Sequence, residues 1–296
     1  MEQRRLGRSG RTASIVTLGT SRLATLGQQD AITLIREAID HGVNVIETGW
    51  TYGDGKVERW LGLALKDGYR DKVMLVWQCG AYRRDYKTAM QQFDESLRRV
   101  GTDRFDIWSF GEMSYDNDPD WLDDHGGLDA AQEARDQRRI SGIGFSGHKS
   151  PHIHLKLLQR GFAWDVVQMP LNPLDATYRS FEKQVLPEAV RRGIAVISTK
   201  PIAGGAIAHA KVVKPEEALR YCFSLPVSSV QCAADDRATL KKNLKLAATY
   251  KPYHAGEMDL LRQKSKPIAG DGRFERYKST QEFDSPLGQA AHGFLK

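Results

Sequence analysis

An α/β fold made of a single closed (β/α)8 barrel of the TIM type, with a β-hairpin before it and a polar tail after it, is predicted from three observations. Short apolar runs recur eight times along the chain, helix-period stretches lie between them, and 296 residues is an ordinary length for such a barrel as one domain. One domain over 1–296 is therefore expected, with 252–296 packing on it as a tail.

The hairpin comes first, with its turn at Arg8-Ser9-Gly10. The apolar runs follow at 14–18, 43–46, 73–77, 105–108, 140–145, 166–168, 195–198 and 227–231. Amphipathic stretches at 30–41, 57–65, 87–100, 130–138, 181–192 and 237–248 separate them, and strands alternating with such stretches give parallel strands with crossover helices. His41-Gly42 and Arg192-Gly193 suit left-handed helix ends that lead into the next strand. An open dinucleotide-binding sheet lacks its fingerprint, because no Gly-x-Gly-x-x-Gly follows an early strand. From Pro252 onward the chain is polar, with Gly270, Gly272 and Gly288 among charges. A tail with little regular structure is expected there, wrapping the barrel or covering its mouth.

Composition narrows the function classes. Hydrophobic residues make up 41% and charged residues 27%, and no apolar run nears the roughly 18 residues of a membrane span. The charged start, Met1-Glu2-Gln3-Arg4-Arg5, is unlike a secretory leader, so the expected location is cytoplasmic. A net charge of +6 is spread among acids with no basic stripe, which argues against nucleic acid and leaves a small-molecule substrate as the expected partner. Nothing in the pattern sets an oligomeric state. Cys79, Cys222 and Cys232 form no Cys-x-x-Cys and no metal-ligand cluster, so they are read as reduced core thiols and no metal is expected.

In a barrel of this kind, chemistry sits where the strands end. After the second run comes Glu47-Thr48-Gly49-Trp50-Thr51-Tyr52-Gly53, a carboxylate and a phenol on one loop. Trp50, Trp77, Trp108 and Phe110 also lie at strand ends, and either line the mouth or cap the core. Glu112 is either a solvated loop acid or a second carboxylate of the site, while His148 is read as structural and His152 and His154 as surface residues.

The run Gly42-Val43-Asn44-Val45-Ile46-Glu47-Thr48, with Tyr52-Gly53, Glu58 and Leu61-Gly62, resembles the aldo-keto reductase signature. The resemblance continues through Arg5-Leu6-Gly7, Ile143-Gly144-Phe145-Ser146, Gln168, Asn172, Lys200-Pro201-Ile202-Ala203-Gly204-Gly205, and Leu240 with Asn243. It implies a nicotinamide cofactor across the barrel mouth, a carbonyl substrate and a catalytic tetrad of Asp, Tyr, Lys and His. Tyr52 matches the tyrosine, whereas the other three positions fall at Glu47, Gln78 and Gly111. Without a lysine cation the phenol stays neutral near pH 7, so ordinary carbonyl reduction is expected to be weak or changed.

The resemblance further implies Ser146, Gln168 and Asn172 at the nicotinamide amide, with Lys200, Gly204, Gly205 and Asn243 toward the rest of the cofactor. Thr199 stands where an aromatic usually stacks on the ring. Asp235 and Asp236 stand where a base often reads the extra phosphate of NADP, which leaves NAD and NADP equally expected. Two function classes remain at this stage. One is an NAD(P)-dependent oxidoreductase with an altered site. The other is a barrel without hydride chemistry, either a lyase, dehydratase or isomerase using Glu47, Tyr52 and Glu112, or a catalytically silent protein.

Overall fold

The computed structural model describes residues 1–294. Strands β1 (Gln3–Arg5) and β2 (Thr12–Ser14) form the antiparallel hairpin, and the turn is closed by the Leu6 N–H donating to Arg11 O. Eight parallel strands follow: β3 (Val16–Gly19), β4 (Val45–Gly49), β5 (Met74–Cys79), β6 (Ile107–Phe110), β7 (Gly142–Ser146), β8 (Val166–Pro170), β9 (Ala195–Thr199) and β10 (Ser229–Ala233). They run in chain order around a closed barrel, because β10 pairs with both β9 and β3. The expected barrel is the observed one.

Side chains alternate along each strand, and this alternation builds two different cores. Val45, Met74, Val76, Ile107, Val166, Ala195 and Ile197 fill the barrel interior, with Leu6 and Ala13 of the hairpin plugging its base. The intervening residues, such as Leu75, Trp77, Cys79, Trp108 and Phe110, pack outward against the helices. Two residues above the apolar interior layer, the same inward face carries Glu47, Gln78, Ser109, Gln168 and, on β10, Gln231. The barrel is thus apolar below and polar at its C-terminal end.

That alternation settles the strand-end aromatics. Trp77 and Trp108 meet edge to face at 4.8 Å beside Phe93, and Phe110 continues the same outer layer. Trp50 turns outward as well, donating to Glu95 at 2.9 Å beneath the Arg99 guanidinium. All three cysteines are buried thiols.

Two expectations are corrected. The tail holds helices at Ala255–Ala269, Arg276–Ser279 and Pro286–Ala291. The first begins at a His254–Glu257 capping box and buries Met258, Leu261, Ser265 and Ala269 at helical spacing, a face that Gly270, Pro267 and the surrounding charges obscure in the sequence. His154 is also not a surface residue. It lies fully buried between Phe145 and Phe181 with Nε2 on Gln168 O at 3.1 Å, and burial lowers its pKa to about 4. The tail is anchored by Lys278, whose buried ammonium meets Asp175 at 2.6 Å and Glu275 at 2.9 Å. Among the described residues, no helix is long and apolar enough to cross a membrane.

Candidate active site

Tyr52 opens the turn after β4, where Gly53, Asp54 and Gly55 all take positive φ and fold the chain back over the strand end. Gly49 makes room for the ring, since a Cβ there would lie 3.1 Å from both Tyr52 Cζ and Gln78 Cβ. The phenol therefore reaches Glu47, and its hydroxyl donates to Glu47 Oε1 at 2.5 Å.

Glu47 is one end of a hydrogen-bonded chain that crosses the barrel. The Gln231 amide donates to Glu47 Oε2 at 3.1 Å, and the Gln168 amide donates to Gln231 at 3.2 Å. Gln78 donates to Gln168 and accepts from the Ser146 hydroxyl at 3.0 Å. Gln78 is thus an amide link, with its donor turned toward Gln168 rather than Tyr52. Gln231 went unnoticed in the sequence, although its place two residues after inward-facing Ser229 was the available signal. Glycine at position 19 admits it, because a Cβ there would come within 2.6 Å of Gln231 Nε2.

Burial sets the charge states. Glu47 is only 1% exposed, and burial raises its pKa to about 7 against the opposing hydrogen bond from Tyr52. Tyr52 is pushed well above the usual phenol value, first by burial and then by the Glu47 charge. A neutral phenol bonded to a carboxyl group near its midpoint is the result.

The loop after β6 is built differently from the loop after β4. A Cβ on Gly111 would meet Cys79 O at 2.9 Å, so a larger residue there needs the backbone to shift. Glu112 follows with φ +49° and turns its carboxylate to the cavity wall, where Oε2 accepts from Ser285 N–H of the tail at 2.8 Å. Glu112 is half-buried, not a freely solvated loop acid, and its pKa rises to about 7 through burial. Beneath it, buried Arg84 donates to Gly111 O at 2.8 Å, Glu112 O at 2.9 Å and Asp118 at 2.8 Å. No local pattern in the sequence marks Arg84 or Asp118, which are 34 residues apart.

The remaining expected residues divide into two groups. Ser146, Gln168, Lys200, Gly204, Gly205 and Asn243 line one cavity of about 630 Å³ together with Glu47, Tyr52, Gln78, Gly111 and Glu112. Asn172 lies outside that lining: its amide is buried on Tyr277 at 3.0 Å and Lys200 O at 3.3 Å, and its own oxygen accepts from Leu174 N–H. His148 joins the lining, with Nε2 on Asp284 of the tail at 3.1 Å, and burial followed by the Lys200 charge lowers its pKa to about 4. Glu58 is turned away, paired with Arg99 at 3.0 Å.

At the far end of the cleft, Asp236 caps the helix Arg237–Thr249 by accepting from Thr239 N–H. Asp235 faces Arg22 at 3.9 Å. Lys242 lines the cavity and pairs with Glu216. Acids and bases therefore meet here in nearly equal measure.

Known proteins resemble this chain in sequence and in fold. L-galactose dehydrogenase of Arabidopsis thaliana is 25% identical over 268 residues, covering 84% of this chain and 80% of its own. NADH-specific methylglyoxal reductase of Escherichia coli is 28% identical over 225 residues, covering 68% of this chain and 67% of its own. The holo form of a Bacillus halodurans aldo-keto reductase superposes with a TM-score of 0.78 at 21% identity over 93% of this chain and 99% of its own, a likeness of fold. The family model for the aldo/keto reductases matches residues 16–251, and the chain belongs to the aldo/keto reductase family.

Proposed function

We propose that this protein is an NAD(P)-linked oxidoreductase acting at a hydroxyl or carbonyl carbon, in which Tyr52 and Glu47 together handle the proton. The 2.5 Å hydrogen bond from Tyr52 to Glu47 carries this reading. Tyr52 binds its proton too tightly to work as a phenolate, so it acts as a conduit. It takes a proton from a substrate hydroxyl as it passes its own to Glu47, or runs the same transfer backward to an oxygen that is gaining charge. With Glu47 near its midpoint at pH 7, alkaline solution favours proton uptake from an alcohol and mild acid favours proton delivery to a carbonyl.

The cleft suits a dinucleotide. Its volume falls within the roughly 300–1,000 Å³ of small-molecule sites. Gly205 has φ +97° and open space where a Cβ would stand, so the backbone beside Lys200 is open to close approach by a diphosphate. Asn243 lines the same end, and Ser146 and Gln168 line the end nearest Tyr52. Bound there, a nicotinamide dinucleotide supplies the hydride acceptor or donor. The balance of Arg22 and Lys242 against Asp235 and Asp236 keeps NAD and NADP both in the reading.

Titration with NADH and NADPH, followed by hydride transfer at the nicotinamide absorbance with a carbonyl and alcohol panel, tests the proposal. Saturable binding of at least one dinucleotide is expected, along with turnover that Tyr52→Phe removes. Absence of saturable binding contradicts it. One observation favours a second reading: Glu112 places another carboxyl group of pKa about 7 in the same cavity, the pairing needed for proton transfer without hydride. Substrate C–H exchange with solvent in the absence of dinucleotide would select that reading instead.

A further inference from the structure

We propose that Lys200 is an imine-forming nucleophile: its amine condenses with a small, uncharged ketone or aldehyde in the cavity, and Glu112 carries the proton. This activity needs no dinucleotide and goes beyond the hydride reading.

The backbone at Lys200 is the first argument. Lys200 follows β9 with φ +50° and precedes Pro201. Positive φ is strained for a residue with a side chain, and the residue before a proline favours negative φ. The conformation is held at the Lys200 carbonyl, which accepts from the Ala203 N–H at 2.8 Å and from the Asn172 amide at 3.3 Å. Asn172 is held in turn by Tyr277, whose hydroxyl donates to Glu275 at 2.6 Å within the buried Lys278 cluster. The outcome is a lysine side chain on the cavity wall.

The second argument is what surrounds the amine. Its Nζ lies 5.3 Å from the centre of the same Tyr277 ring, an aromatic wall. Glu112, Glu47 and Asp284 act on it through charge, yet each is bonded elsewhere. Glu47 accepts from Tyr52 and Gln231, Asp284 meets Lys149 at 2.8 Å and His148 at 3.1 Å, and Glu112 Oε2 accepts from the Ser285 N–H. Burial outweighs these acids and lowers the Lys200 pKa, which enlarges the share of neutral amine. A neutral amine in a cavity is a nucleophile. Glu112 is set in place by Arg84, which clamps the carbonyls of Gly111 and Glu112, and with a pKa of about 7 it gives and takes a proton near neutral pH.

These groups balance the chemistry by themselves. The amine lone pair forms the C–N bond as the carbonyl π bond opens, and the amine proton passes to the oxygen. Glu112 then protonates that hydroxyl, which leaves as water while nitrogen closes the C=N bond. The iminium draws electrons from the neighbouring carbon, and the Glu112 carboxylate takes a proton from that carbon to leave an enamine. A proton from solvent returns by the same path, and water then hydrolyses the imine. A bound diphosphate favours the charged ammonium, so this chemistry belongs to the dinucleotide-free protein.

The test uses the full chain with acetone, hydroxyacetone and dihydroxyacetone as probes and sodium cyanoborohydride, whose hydride fixes an iminium as a secondary amine. Peptide mass spectrometry locates the label. At least one probe is expected to label Lys200 about tenfold or more faster than any other lysine, and Glu112→Gln to slow that labelling by about a hundredfold. In deuterated water without reductant, the wild-type protein is expected to exchange the hydrogens beside the probe carbonyl, and Lys200→Arg, which keeps the charge, to lose that exchange. If the arginine variant fails to fold in thermal melting, the label map of the wild-type protein decides alone. Labelling spread evenly over the lysines, or equal exchange in wild type and Lys200→Arg, overturns the inference. Fast labelling of Lys200 that Glu112→Gln leaves unchanged overturns the proton role of Glu112. No dinucleotide enters these assays, so their failure leaves the hydride reading to its own titrations.

Discussion

Tyr52 donates its hydroxyl hydrogen to Glu47 Oε1 across 2.5 Å, while Gln78, at the neighbouring strand end, turns its amide away toward Gln168. The phenol is thus tied to an acid of pKa about 7 with an amide, not an ammonium, beside it. In the proposed mechanism, proton movement at this site follows the titration of Glu47.

Replacing Tyr52 by Phe removes the conduit and leaves the cavity walls in place. Turnover in the hydride-transfer assay is expected to fall by about 10²–10⁴-fold, the usual contribution of a positioned acid or base, with dinucleotide affinity unchanged in titration. Turnover that persists at the wild-type level places the proton elsewhere.

Glu47 also links stability to pH. Its pKa is raised on folding from 4.5 to about 7, so the folded chain holds its proton more tightly. The resulting contribution is fully present below about pH 4.5, is lost as pH rises toward 7, and is absent above it. Relative to Glu47→Gln, the wild-type protein is therefore expected to lose stability on the order of 3 kcal/mol between pH 4 and pH 8. Urea unfolding of both proteins at the two pH values measures the difference, and a constant difference would contradict the assignment.

Gln78→Lys tests the missing cation directly. A lysine at the end of β5 brings an ammonium beside Glu47 and breaks the amide link to Gln168. The pH midpoint of turnover is expected to move down by about one unit or more, as an opposite charge within hydrogen-bonding range does to a carboxyl group. A midpoint that stays near 7 would mean that Glu47 does not set the profile.

Arg84→Met removes one partner of a fully buried pair and leaves the Asp118 carboxylate uncompensated. A loss of about 3–5 kcal/mol in chemical denaturation is expected. A change below about 1 kcal/mol, the range of exposed pairs, would contradict the role given to this clamp.

The sequence showed some levels of this structure better than others, for physical reasons. The barrel was legible because its strands repeat a period and each inward face must be apolar below, as in Val45, Val76 and Ile107. Glu47, Tyr52, Gln78 and Gly111 could be placed at one cavity from the sequence because they stand at strand ends, and the cavity lies there. Gln231 was missed because it lies inside an apolar run, and only its register two residues after Ser229 marks it as facing inward. Arg84 and Asp118 were hidden because only tertiary contact joins them. Asn172 had the right position, yet the tail claims its amide through Tyr277, and a tail read as irregular gave no warning of that.

The pH dependence of hydride transfer, followed at the nicotinamide absorbance for the best substrate of the panel, tests the central claim most directly when wild-type protein and Glu47→Gln are compared. In the alcohol-oxidation direction the wild-type rate is expected to rise through a single midpoint near pH 7, and that rise to vanish in Glu47→Gln. A rise of the same midpoint and amplitude in both proteins would show that Glu47 is not the proton acceptor behind Tyr52.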